Sequence, residues 1–381
     1  MIQHSIVASN FFEIAEMPFY WRLSNTPNAI QVVPPRMPIR VVVDETYDYL
    51  KFEPNQAQWA ALSEAYNQNE NIGFVNPESG QLHTYGSSVN RFFLATIEKF
   101  APKSVFEIGC GAGFTIQFLK KHGWNAIGVD PSEYSKQWST KLDFPLINEF
   151  FQEGSLSEPA HFIYCNDVFE HVPKVDEFCA LAFDCLADDG VFCFATTNST
   201  SSIAIGDISM LEHQHVNMFT ERSITLLLTA AGFTDIELQA GSYGNTFHVF
   251  ARKGTPNKSP PLTTLPVSCH GYFERAQQKL AAFKAIYDRS AVLHCYVPLR
   301  CLPYLATAGD FGQSPIYDSN SAWRGRYIDG YNQPIRSVED IRYEKDTAFF
   351  VGSLTFYQEI RETLLQKGIP ASSILSIRDT E

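Results

Sequence analysis

The sequence predicts an α/β protein. A doubly wound core spans 86–253, an N-terminal α+β region 1–85, and a smaller C-terminal α/β domain 269–381, with a linker at 254–268. Three observations carry this reading. Val105-Phe106-Glu107-Ile108 is an apolar run that ends at Gly109-Cys110-Gly111-Ala112-Gly113 and opens into a helical segment from Phe114. Strand, glycine turn and helix together open a nucleotide-binding unit, because glycine has no Cβ to keep a ligand away from the backbone. Strand-like and helix-like segments then alternate, which calls for a parallel sheet with helices on both faces. Finally, strand-like segments at 235–239 and 246–251 follow each other without a helix, which predicts an antiparallel hairpin at one sheet edge.

Taken in order, 30–33 and 39–43 read as strands separated by prolines, and 56–66 as a helix. This front region is rich in aromatic residues and is expected to be a lid or substrate-contacting region. Ser87 and Ser88 precede a helix at 89–100 and are natural N-caps; Tyr85 and Ser87 are alternatively placed to face a ligand. Core strands are expected at 104–108, 126–130, 145–148, 161–165 and 191–196, and helices at 114–122, 132–140, 175–187 and 221–231. A polar, proline-rich linker follows Arg252. Beyond it, a helix at 271–289 leads into strands at 291–297, 315–318 and 347–351 and a helix at 356–367. The first turn of this second pattern, Val297-Pro298-Leu299-Arg300-Cys301, lacks glycines, which argues against a nucleotide of its own.

Composition narrows the function. The chain has 381 residues and a net charge of −13, a poor match to the basic surface that nucleic acid requires. No apolar stretch approaches the roughly 18 residues of a membrane span, and Met1 to Asn10 lacks a signal peptide's basic start and apolar core. The eight cysteines form no C-x-x-C pair and read as buried free thiols in a reducing cytoplasm, so the expected location is cytoplasmic.

A dinucleotide fingerprint starting at Gly109 needs glycine at 114, which is Phe114. The spacing Glu107-x-Gly109-x-Gly111-x-Gly113 instead resembles motif I of the class I S-adenosylmethionine-dependent methyltransferases. The resemblance implies a seven-stranded Rossmann-like core with one reversed strand, S-adenosyl-L-methionine as cofactor, and a small-molecule acceptor. Cofactor contacts are then expected from Glu107, Gly109, Cys110, Gly111 and Gly113. Asp130, with Pro131 behind it, ends the second strand 21 residues after Gly109, where an acid accepts hydrogen bonds from ribose hydroxyls. Phe150 after the third strand is a candidate to stack on adenine. Asn166-Asp167-Val168-Phe169-Glu170-His171-Val172-Pro173 resembles the N/E-x-x-E-H-[IV]-P segment of many small-molecule methyltransferases, which puts Asn166, Asp167 and Val168 near the methionine moiety. His215-Val216-Asn217-Met218-Phe219-Thr220 resembles their H-x-N-x-[FY]-[ST] segment.

His215, His171 and Tyr85 are the catalytic candidates, since a histidine titrates where proton transfer near neutrality needs it. No metal is expected: His213 and His215 are only two apart and no further His/Cys cluster completes a site. The layout also resembles sugar-nucleotide C-methyltransferases, which carry an N-terminal zinc region and a C-terminal Rossmann-like domain. Residues 1–100 contain no cysteine, so that zinc site is missing here. The expected function is methyl transfer to a small polar molecule such as a sugar or sugar nucleotide. The alternative is a non-catalytic cofactor-binding or regulatory protein that uses its C-terminal domain as a partner interface. Oligomeric state and acceptor atom stay open.

Overall fold

A computed structural model describes residues 4–20, 22–29, 33–68, 83–241, 245–254 and 267–378. The chain opens with β1 (Ser5–Val7), β2 (Phe11–Pro18), β3 (Leu23–Ser24), β4 (Arg36–Asp44) and β5 (Tyr49–Phe52), then α1 (Gln56–Gln68) and α2 (His83–Phe100). β1, β2, β4 and β5 pair antiparallel in that order. Alternation along β2 and β4 sends Phe12, Ile14, Ile39 and Val41 to a fully buried face. Of the strand expected at 30–33, 30–32 lie outside the described residues and Val33 sits in a bend. The expected serine caps are corrected: α2 starts at His83, so Ser87 and Ser88 lie inside it. A serine costs a helix only some tenths of a kcal/mol, so the buried stripe of Val89, Phe93 and Ile97 decides where it forms.

The core follows as β6 (Val105–Ile108), α3 (Phe114–Lys121), β7 (Ile127–Val129), α4 (Glu133–Leu142), β8 (Leu146–Ile147), β9 (Ala160–Asn166), α5 (Val175–Cys185) and β10 (Leu186–Thr197). Then come α6 (Thr200–Ile205), β11 (Asn217–Met218), α7 (Glu221–Ala230), β12 (Thr234–Ala240) and β13 (Thr246–Arg252). The sheet order is β12-β13-β10-β9-β6-β7-β8. β13 runs antiparallel to both neighbours and is the one reversed strand. Strand order reverses between β6 and β9, the place where doubly wound sheets hold ligands beyond their carboxyl ends. β11 leaves this sheet and pairs antiparallel with β5, tying the core to the N-terminal sheet.

The C-terminal part comprises α8 (Tyr272–Arg289), β14 (Val292–Tyr296), α9 (Pro298–Thr307), β15 (Ile316–Asp318), β16 (Tyr327–Ile328), β17 (Ile335–Ser337), β18 (Thr347–Val351), α10 (Tyr357–Gln366) and β19 (Ile374–Ser376). Its sheet, β17-β15-β14-β18-β19, is wholly parallel. β16 pairs with β3, and one apolar core joins Phe12 and Ile39 of the front sheet to Ile208, Leu211, Tyr304 and Leu305. The front region and the C-terminal domain thus share a core, with the 199–218 segment threaded between them. The linker at 255–266 lies outside the described residues. All eight cysteines are free thiols, and no described helix is long and apolar enough to cross a membrane.

Candidate active site

Gly109, Gly111 and Gly113 all have left-handed backbones, with φ of +68°, +50° and +72°. Glycine is needed twice over, because a Cβ on Gly109 would run into Val168 Cγ2 and one on Gly113 into the Phe144 ring. Val168 therefore packs directly on the turn. Asp130 fixes the turn from the other side: its Oδ2 accepts the Gly111 N–H at 2.9 Å, and its Oδ1 accepts the Ser132 N–H and hydroxyl at 2.9 and 2.7 Å. Three of roughly four carboxylate lone pairs are thus in use. A lone pair remains for a ribose hydroxyl. Ser132 in turn caps α4.

Glu107 turns inward. Its side chain sits beneath the turn, 3 % exposed, and accepts the Tyr164 hydroxyl at 2.9 Å. Burial raises its pKa to about 8, against the Tyr164 bond. Its bond to Tyr164 ties β6 to β9. Cys110 is buried and burial pushes its thiol up. Pro131 is exposed beside Asp130, and Phe150 is 73 % exposed, whereas its neighbour Phe151 packs edge-on against Phe178. Asn166, at the end of β9, is 9 % exposed; its amide donates to Asp167 at 3.1 Å, and its Oδ1 is buried and accepts no hydrogen bond among the described residues. Asp167 takes a left-handed backbone at φ +51° and donates its N–H to Ala195.

The turn Phe169–His171 and the 212–217 segment then bring four titratable side chains together. His171 Nδ1 lies 2.7 Å from the Gln214 carbonyl. A carbonyl only accepts, so Nδ1 carries the hydrogen and Nε2 keeps its lone pair. The Tyr66 hydroxyl sits 3.0 Å from the same Nδ1 and donates to the same carbonyl. Burial, followed by the His215 charge, lowers the His171 pKa to about 4.

His215 Nδ1 donates to Glu212 Oε1 at 2.6 Å, again leaving Nε2. Burial opposes protonation of His215, but the charge and hydrogen bond of Glu212, with Glu170, raise its pKa. Burial likewise opposes ionisation of Glu212, yet His215, Arg300 and His171 hold it down to about 2. Glu170 is 1 % exposed and accepts the Thr196 hydroxyl at 2.8 Å; burial raises its pKa while His215 lowers it. The two imidazoles stand edge to face, 4.9 Å apart. Asn217 is buried and donates to the carbonyls of Val172 (2.7 Å) and Phe169 (3.5 Å), which clamps the His171 turn to β11. Thr220, ending the same motif, caps α7 in a capping box with Ser223.

His213 points away: it is buried against Phe19 and Phe52 and bonds the Met37 carbonyl at 3.2 Å. Tyr85 lies on α2, but its side chain falls outside the described residues. Three contributors were not assigned roles from the sequence. Glu212 carried a signal, standing three residues before His215. Tyr66 lies 105 residues from its histidine and Arg300 belongs to α9, so neither had a local one.

Residues 80–238 match the model of a family described as "Methyltransferase domain". Among curated proteins, the chain is 26% identical over 129 residues to a ubiquinone biosynthesis O-methyltransferase of Hydrogenovibrio crunogenus, covering 32% of this chain and 53% of that protein. A protein of the same name from Pasteurella multocida is 30% identical over 115 residues, covering 26% of this chain and 48% of the relative. The chain spans about half the length of the curated relatives it matches. Solved structures similar to part of the chain include a plantazolicin methyltransferase in complex with SAH, at 15% identity and TM-score 0.42, covering 51% of this chain and 95% of that one. Another is a SAM-dependent methyltransferase from Archaeoglobus fulgidus, at 16% identity and TM-score 0.37, covering 46% and 99%. Over residues 80–238 the chain is thus similar to a methyltransferase domain.

Proposed function

We propose that the protein transfers a methyl group from S-adenosylmethionine to a small polar acceptor, with His215 as general base. The observation that carries this is the Glu212–His215 pair, held at 2.6 Å beside the carboxyl ends of β9 and β10 in a methyltransferase domain. When bound, S-adenosylmethionine supplies an electrophilic methyl group. The chain's residues fit it. The glycine turn leaves an approach free of Cβ atoms, Asp130 keeps a lone pair for a ribose hydroxyl, and the buried Asn166 Oδ1 lacks a donor that a ligand can provide. Phe150 offers an exposed ring for the adenine.

Glu212 fixes the His215 tautomer and stabilises the imidazolium formed when Nε2 takes the acceptor's proton. His171, held neutral, accepts or orients a second acceptor hydrogen through its own Nε2. Tyr66, Arg300 and the shared front and C-terminal core close the acceptor side and keep it in register, so that positioning contributes to the rate. The names of the curated relatives put oxygen first among acceptor atoms, and sugars, sugar nucleotides and phenols are the acceptors to assay.

The test is His215→Ala. Turnover on whichever acceptor is methylated should fall by roughly 10²–10⁴-fold while S-adenosylhomocysteine affinity stays within a factor of about two. Unchanged turnover removes His215 as base.

A further inference from the structure

The pocket holds more than a base needs. We propose that Glu170, His171 and His215 form a binding site for one divalent transition-metal ion, zinc foremost. One ligand atom from each lies within 4.8 Å of the other two. A filled tetrahedral site would draw them to roughly 3.4 Å, a closure of the order that side-chain rotation supplies. The hydrogen bonds around the three are those of a ligand set. A metal-binding histidine donates its other ring N–H to a carboxylate or a carbonyl, which fixes its tautomer. His215 does so to Glu212 and His171 to Gln214, and both rings keep Nε2. The third ligand, Glu170, is oriented by the Thr196 hydroxyl.

Charge points the same way. Glu170 is almost fully buried, and no lysine or arginine forms an ion pair with it among the described residues. Burying a carboxylate without a cation is costly. With both histidines neutral, the negative charges of Glu170 and Glu212 are offset only in part by Arg300, which favours a cation between them. Two histidines and a glutamate are a zinc ligand set that keeps a fourth position open.

This rests on the reading of the pocket as the acceptor site and assigns the acceptor's chemistry to oxygen. The ion takes over from His215 the task of activating the acceptor: with it held, His215 Nε2 is a ligand and takes no proton, and without it the same Nε2 is the base. A hydroxyl bound in the open position becomes more acidic: its O–H bond breaks, the electron pair stays on oxygen and the proton passes to water.

The test uses the full chain purified from zinc-supplemented culture. Elemental analysis should find about one zinc per chain. Replacement by Co²⁺ should give visible d–d absorption without a sulfur charge-transfer band. His171→Ala, His215→Ala and Glu170→Gln should weaken binding at least tenfold, and Glu212→Gln roughly 10–100-fold. His122→Gln, on the exposed end of α3, should bind as the parent does. If an alanine variant fails to fold, Glu170→Gln and Glu212→Gln decide. Stabilisation by S-adenosylhomocysteine is read in parallel on every protein. No zinc or cobalt bound at micromolar concentration, a thiolate band, or full binding by the variants overturns the metal site. If S-adenosylhomocysteine still stabilises, only the metal site falls; if it does not, the methyltransferase reading falls as well.

Discussion

The chain makes one turn twice with different residues. β6 enters α3 through Gly109, and β14 enters α9 through Val297. Each is the first strand of a sheet whose order reverses beside it. Gly109 and Val297 share φ of +68°, and each donates its N–H to the neighbouring strand, to Val129 and Tyr317. An acid follows 21 residues later in both, Asp130 and Asp318, and each accepts the N–H two residues on. The first turn continues with Cys110 and Gly111, and the Gly111 N–H meets Asp130. The second continues with Pro298, which has no N–H, and carries Arg300, whose charge reaches Glu212. Two residues before the turn stands Glu107 in one case and Cys295 in the other, both buried. Topology alone thus does not make a cofactor site. The first turn is built to admit a ligand, and the second contributes a charge to the site of the first.

The largest effect should come from Gly109→Ala. A left-handed alanine costs about 1–2 kcal/mol before the collision with Val168 is counted. Stabilisation by S-adenosylhomocysteine in a thermal melt should vanish. Val297→Gly should leave it intact and change stability by no more than about 1 kcal/mol, because relief of strain offsets the added chain entropy. Equal sensitivity of the two turns would break the comparison.

Next is Glu107, whose folded pKa of about 8 lies above the ordinary 4.5. A carboxyl raised on folding contributes stability that is fully present below 4.5 and is lost as pH rises through 8. Glu107→Gln should therefore be more stable than the parent at pH 8, by at least about 1 kcal/mol, and should flatten the profile between pH 4.5 and 8. Urea midpoints at pH 5 and pH 8 measure this. Cys295→Ser, its counterpart, should show no such pH-dependent gain in that window.

Asp130→Asn should weaken S-adenosylhomocysteine by roughly 10–100-fold, the scale of a charged hydrogen bond of about 1.5–3 kcal/mol. Asp318→Asn should leave that affinity within a factor of about two. Calorimetric titration of both variants sharpens the contrast, and a matching loss at Asp318 would erase it.

Much of this was legible because it is local. Glycine spacing, a strand-end acid and alternating apolar runs sit within a few residues of what they control. β2 escaped because Phe11-Phe12-Glu13-Ile14-Ala15-Glu16 only half alternates. α9 escaped because Pro298 and Pro303 read as turn residues, although Pro298 occupies the first helical position, where its missing N–H costs nothing. At the site, His171 and His215 were visible as residues but not as a pair. Their meeting depends on Asn217 clamping the 169–172 carbonyls and on β11 crossing to the front sheet. His213, two residues before His215, is buried in the core against Phe19 and Phe52. The burial of Glu107 against Tyr164 was not legible, because motif position does not say which face of a strand a side chain takes.

The central claim is that the Gly109 turn holds S-adenosylmethionine and the Val297 turn holds no nucleotide. A thermal melt of the full chain with S-adenosylhomocysteine and, separately, NAD tests it most directly. A ligand at 100 times its Kd adds about 2.7 kcal/mol to the native state. S-adenosylhomocysteine should raise the melting temperature of the parent and of Val297→Gly, but not of Gly109→Ala, and NAD should move none of them. Stabilisation by NAD with no response to S-adenosylhomocysteine would contradict the account.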